Sequence, residues 1–148
     1  MEFFDTGDLV GSEVSLRLDH TFPGDPARGW VPAYYFDIMD KNGVKVGACD
    51  LRIGHSDGLY YGGNIGYSVL EEHRGRHYAE KAVRLLFILA KKHDLGYLYI
   101  TCRPENIPSR RTCERLGGTF MGIEELPPDN DMRLQDGHTH ECIFRFDF

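Results

Sequence analysis

The stretch from Tyr67 to Ala90 constrains this chain more than any other. A β-type segment, Asn64 to Leu70, runs into the turn Arg74-Gly75-Arg76-His77-Tyr78-Ala79, and helical spacing begins at about Tyr78. Along that helix Ala79, Ala82, Val83, Leu86, Leu89 and Ala90 recur at intervals of three and four, while Lys81, Arg84, Lys91 and Lys92 fall largely elsewhere. Asp94-Leu95-Gly96 supplies the stop, because Gly96 suits the left-handed position after a helix end. The first N–H groups of a helix have no partner inside it and lie at the positive pole of its dipole, so they suit an anion, phosphate above all. Gly75 lets backbone approach such a guest, and Arg74 and Arg76 offer it charge-assisted hydrogen bonds. A solvated basic turn that merely begins a helix uses the same residue types, and these alone leave the two readings open.

The remaining segments arrange themselves around this unit. Met1 to Gly11 reads as a loose lead-in. Glu13 to Phe22 sets Val14, Leu16 and Leu18 against Glu13, Ser15 and Arg17, a period of two that predicts a strand. Pro23 to Pro32 is a proline- and glycine-rich connector. Ala33 to Asp40 and Val44 to Ile53 flank Asn42-Gly43, a strong hairpin signal. His55 to Gly63 reads as a loop. After the helix, the apolar run Tyr97 to Cys102 predicts a strand parallel to Asn64–Leu70 in a βαβ unit. Asn106 caps a short helix, Ile107 to Leu116, that tolerates Pro108 in its first turn. Thr119 to Glu125 and His138 to Phe148 read as strands, with Leu126 to Gly137 as a loop. The prediction is a single α+β domain spanning 1–148. It has a twisted mixed sheet of about six to seven strands, a central βαβα unit and helices packed on the sheet.

Composition narrows the function classes. The 148 residues suffice for one domain with a real core, and a net charge of -6 argues against general nucleic-acid binding. No apolar run reaches bilayer length, and Met-Glu-Phe-Phe-Asp is not a leader pattern. Cys49, Cys102, Cys113 and Cys142 sit singly in apolar segments, the usage of a reducing compartment, so the expected location is cytoplasmic. His138, His140 and Cys142 share a strand face but lack a fourth zinc ligand nearby, so no metal is expected.

The order of elements and three motifs resemble the GNAT superfamily of N-acetyltransferases over roughly Ala33 to Ile123. Asn64-Ile65-Gly66-Tyr67-Ser68-Val69 is similar to the family's fourth strand. Arg74-Gly75-Arg76-His77-Tyr78-Ala79 resembles its Arg/Gln-x-x-Gly-x-Gly/Ala acetyl-CoA loop, with Ala79 closing it and His77 where the middle glycine is expected. Asn106-Ile107-Pro108-Ser109 with Glu114-Arg115-Leu116-Gly117 resembles its Asn-x-x-Ser … Glu-Lys-Leu-Gly segment. The resemblance implies direct transfer of acetyl from acetyl-CoA to a small-molecule or peptide amine. The cofactor is then held by Tyr67, Ser68, Val69, Leu70, Arg74, Gly75, Arg76, His77, Tyr78, Ala79, Glu80, Asn106 and Ser109, with a backbone N–H near Val69 or Leu70 facing the oxyanion. Cys113 stands where many members carry the tyrosine that serves as general acid, so it is the positional candidate for that role. The proton-accepting base stays open among Asp50, Glu71, Glu72, Glu124 and Glu125. Cys113 and His77 also fit an alternative, a non-catalytic acyl-CoA-binding or sensing domain. Neither nucleic acid nor membrane is expected as a partner, and a homodimer is compatible with the reading.

Overall fold

A computed structural model describes residues 1–148. Eleven elements follow in order: β1 (Val14–Phe22), β2 (Ala33–Asp40), β3 (Lys45–Arg52), α1 (Asp57–Gly62), β4 (Ile65–Val69), α2 (Tyr78–Lys92), β5 (Tyr97–Cys102), α3 (Ile107–Arg115), β6 (Thr119–Glu125), α4 (Asp131–Asp136) and β7 (His140–Asp147). They fall into two compact units, residues 1–54 with 65–95, and residues 55–64 with 96–148.

The first unit is an antiparallel meander, β1-β2-β3-β4, with α2 against β1, β3 and β4. Period-two alternation decides its faces. Tyr34, Phe36 and Ile38 of β2 and Cys49 and Leu51 of β3 are buried with Val14, Leu16 and Ile65. Against them lie Ala82, Val83, Leu85, Leu86, Leu89 and Ala90 of α2. Each fully buried leucine contributes about 1.5–3 kcal/mol over its exposed state. Ala79, expected on this stripe, is only half-buried, in the first turn of α2. Leu18 is 42% exposed, since a bulge between Leu18 and His20 shifts the register of β1 and ends its inward alternation.

The lead-in is not loose. Leu9 is fully buried and its carbonyl accepts the Leu16 N–H at 2.9 Å. The Phe4 N–H donates to Tyr34 Oη at 2.8 Å, and Phe3 packs edge-on against the Tyr34 ring. These residues gain enough apolar burial and backbone pairing to offset their ordering.

The second unit holds a three-stranded antiparallel sheet, β5-β7-β6, with α1 against β5 and β7 and α3 against β5. The class is α+β with seven strands, as expected. The parallel ladder expected between β4 and β5 is not formed: β5 pairs with β7, Tyr97 opposite Asp147 through Cys102 opposite Cys142. β7 takes one edge of β5, and on the other Asn64, just before β4, donates its N–H to the Tyr99 carbonyl at 2.7 Å and accepts the Tyr99 N–H on Oδ1 at 3.0 Å. Two short helices replace expected loops. Ser56 caps α1 by accepting the Leu59 N–H, and Asn130 caps α4 by accepting the Met132 N–H. Both helices span six residues, too short to show apolar periodicity. No helix is long and apolar enough to cross a membrane.

Candidate functional site

β4 brings the chain to the end of the sheet, where a single 3₁₀ turn, Glu71–His73, leads to the basic turn. The Leu70 N–H donates to the Val46 carbonyl at 2.9 Å. Antiparallel strands alternate the direction of successive N–H groups, so the Val69 N–H points to the other, outer edge of β4. Of the two expected oxyanion donors, Leu70 is therefore engaged within the sheet. Gly47, opposite Val69, is fixed by crowding: a Cβ there would meet the Ser68 carbonyl at 2.2 Å.

The turn that follows is built from left-handed backbone. Gly75 has φ 88° and His77 has φ 59° and ψ 29°, within the small left-handed region. His77 is the N-cap of α2 and its side chain caps nothing. The first intrahelical bond is the Lys81 N–H to the His77 carbonyl at 3.1 Å. The N–H groups of Tyr78 and Ala79 precede it and have no acceptor within the helix. A Cβ at Gly75 would meet nothing within 4 Å, so the space beside the turn is open. The arrangement is a concave set of N–H groups at the positive end of a fifteen-residue helix, suited to an anion.

The charged side chains frame this concavity. Arg74 Nε donates to the Val69 carbonyl at 3.0 Å, which ties the turn back to the strand end. Arg76 is exposed, and its carbonyl accepts Lys81 Nζ at 3.1 Å. Lys81 also pairs with Glu13 at 2.6 Å, and Glu80 with Arg84 at 3.9 Å along the helix. Tyr67, Ser68, Val69, Leu70, Arg74, Gly75, Arg76, His77, Tyr78, Ala79 and Glu80 thus form one continuous strand–turn–helix segment of the first unit.

Asn106, Ser109 and Cys113 lie on or beside α3 in the second unit. Asn106 Oδ1 accepts the Ser109 N–H at 3.2 Å, the helix-capping bond. Cys113 is completely buried. The other thiols are buried as well, and burial pushes Cys102 up to about 11, which leaves it inert near neutral pH. Cys142 lies opposite Cys102, and His138 pairs with the buried carboxylate of Glu141 at 3.2 Å, so these groups are engaged locally. The carboxylates left open as bases separate by environment. Glu71 and Glu72 are exposed, Glu124 accepts the Tyr60 hydroxyl at 3.3 Å, and Glu125 pairs with Arg133 at 3.2 Å. Asp50 is enclosed; its side chain is 17% exposed. No periodicity marks it, because its burial follows from a cross-strand partner that the linear sequence does not identify.

Residues 15–119 match the family model of the acetyltransferase (GNAT) domain. Among curated proteins none matches in sequence. Several solved structures share the fold. The microcin C7 self-immunity acetyltransferase, in complex with acetyl-CoA and AMP, aligns with a TM-score of 0.61 at 20% identity, covering 78% of this chain and 61% of that one. The ribosomal-protein-S5-alanine acetyltransferase from Vibrio fischeri aligns with a TM-score of 0.61 at 21% identity, over 78% and 61% of the two chains. A ribosomal L7/L12 alpha-N-protein acetyltransferase in complex with coenzyme A aligns with a TM-score of 0.60 at 20% identity, over 82% and 64%. The chain therefore spans less than two thirds of each of these structures.

Proposed function

The chain belongs to the GNAT acetyltransferase family, and on that premise we propose that it transfers acetyl from acetyl-CoA to a primary amine of a small molecule or peptide. The observation that carries the reading is the left-handed turn at Gly75 and His77, directly ahead of the first N–H groups of α2 at Tyr78 and Ala79. In this reading the pyrophosphate of coenzyme A lies on those N–H groups, and Arg76 adds charge. The acetyl carbonyl meets the Val69 N–H, which stabilises the oxyanion that develops as the amine attacks. The thiol of coenzyme A has an ordinary pKa near 8.5 and departs as thiolate without a strong acid. A buried Cys113 is then part of the α3 packing rather than a proton donor. The ribosomal-protein acetyltransferases of similar fold motivate peptide N-termini among the first acceptors.

Amine-dependent release of free thiol from acetyl-CoA tests this, using polyamines, aminoglycosides, amino acids and peptides with free N-termini. We expect release with at least one acceptor class. Coenzyme A binding without release for any of them would leave a sensing domain.

A further inference from the structure

The face of the four-stranded sheet turned away from α2 carries a cross-strand row with one residue from each strand: His20 opposite Tyr35, Tyr35 opposite Asp50, and Asp50 opposite Gly66. Two residues along lies a second row on the same face, Asp37 opposite Ala48 and Ala48 opposite Ser68. Ala48, Gly66 and Ser68 are small, so the sheet dips between taller walls. A cavity of about 450 Å³ opens there, lined by His20, Tyr35 and Asp50 of the first row and by Asp37, Ala48 and Ser68 of the second.

Gly66 and Asp50 are matched in shape. A Cβ on Gly66 would sit 2.7 Å from Asp50 Oδ1, so the carboxylate occupies the space a side chain on β4 would take. Asp50 Oδ2 is sealed from solvent and makes no hydrogen bond; Arg52 Nη1, at 3.4 Å, supplies charge without an aligned N–H. Burial raises the Asp50 carboxyl above the ordinary aspartate range, opposed by Arg52 and by the Gly66 N–H. The other acids of the cavity are committed. Asp37 is gripped by Arg17 at 2.8 Å and Lys45 at 3.1 Å, which hold it below the usual range. Asp19 is exposed and pairs with His20 at 2.6 Å, and the His20 ring stacks on Tyr35 at 4.4 Å. Tyr67, between Gly66 and Ser68 on β4, also borders the cavity.

We propose that the cavity over Ala48 and Ser68, beside Asp50, receives the ammonium form of the acceptor and that Asp50 takes its proton. This rests on the acetyl-transfer reading. Gly66 lies three residues before Val69 on β4, about 10 Å along the strand, a span that hydrogen-bonded water covers. The ammonium gives one proton by that route to the Asp50 carboxylate where it borders the cavity, away from the sealed Oδ2. The neutral nitrogen attacks the thioester carbonyl, a C–N bond forms and the C–S bond breaks. The second nitrogen proton ends on the departing sulphur, and Asp50 returns its proton to solvent. The products are the amide, coenzyme A and one proton. A largely enclosed carboxylate of raised basicity, whose Oδ2 has no hydrogen bond to steady its charge, is suited to accept that proton.

The test compares the wild type with Asp50→Asn and Asp50→Ala. It measures coenzyme A binding by calorimetry, and thiol release with 1,4-diaminobutane, glycinamide and a hexapeptide of free N-terminus from acid to alkaline pH. We expect all three proteins to bind coenzyme A alike. Asp50→Asn should lose about 10²–10⁴-fold in kcat and flatten the acid limb of the profile, and formate should restore part of the activity of Asp50→Ala. Activity of Asp50→Asn within tenfold of the wild type, with an unchanged acid limb, overturns the proposal and leaves the acetyl-transfer reading standing. If the wild type binds no coenzyme A, or acetylates none of the amines, the reading itself falls and the proposal with it.

Discussion

His77 shows how one residue can depart from a family pattern and keep its geometry. The position where a middle glycine is expected holds a backbone φ of 59°, which explains a glycine preference, because only glycine adopts that region without penalty. Histidine occupies it here at a cost. His77→Gly should therefore stabilise the fold by up to about 1 kcal/mol, read as a higher urea midpoint, and should leave coenzyme A binding intact because the contacts run through backbone. Gly75, at φ 88°, carries the same demand with open space around it, so a side chain there strains the backbone without meeting a neighbour. Asp50 gives a prediction with a sign. Its carboxyl is raised in the folded chain, so its contribution to stability is full below the unfolded aspartate value near 3.8 and is lost as pH rises through the higher folded value. Asp50→Asn should then melt higher than wild type at neutral pH, with the gap closing in acid; a lower melting temperature at neutral pH would contradict the burial of a charged carboxylate. Cys113→Ala should cost about 1 kcal/mol from its buried site and keep kcat within about tenfold. A loss of about a thousandfold in a folded protein would make the thiol a proton donor.

At the scale of elements, caps decide what a sequence reveals. Asn106 was legible because its side chain closes a helix of nine residues with Pro108 in the first turn. Asn106→Ala should cost about 0.5–2 kcal/mol, measured by urea unfolding. Ser56 and Asn130 cap their helices in the same way, yet α1 and α4 read as loops, since six residues give too few turns for an apolar stripe. The strand–turn–helix of β4 and α2 was legible in both type and extent, because fifteen residues of helical spacing outweigh local ambiguity. Strand partners were not. Tyr97 to Cys102 reads as a strand from its own residues, but its partner, β7, comes from the far end of the chain. The same blindness hides the match of Asp50 to Gly66, which exists only across the β3–β4 register. The docked lead-in was hidden too: Phe3, Phe4 and Leu9 lie among polar residues, and their value comes from Tyr34 and Leu16, distant partners.

For the whole molecule, the family model and the left-handed turn ahead of α2 converge on one claim, that this segment holds the phosphates of coenzyme A. The calorimetric titration of coenzyme A into the full chain tests it most directly, with Arg76→Ala titrated alongside. We expect saturable binding to the wild type, with a rise in melting temperature that grows with ligand concentration, and weaker binding to Arg76→Ala at unchanged fold stability. A wild-type chain that is folded, yet gives no heat of binding and no melting shift at saturating coenzyme A, would contradict the account.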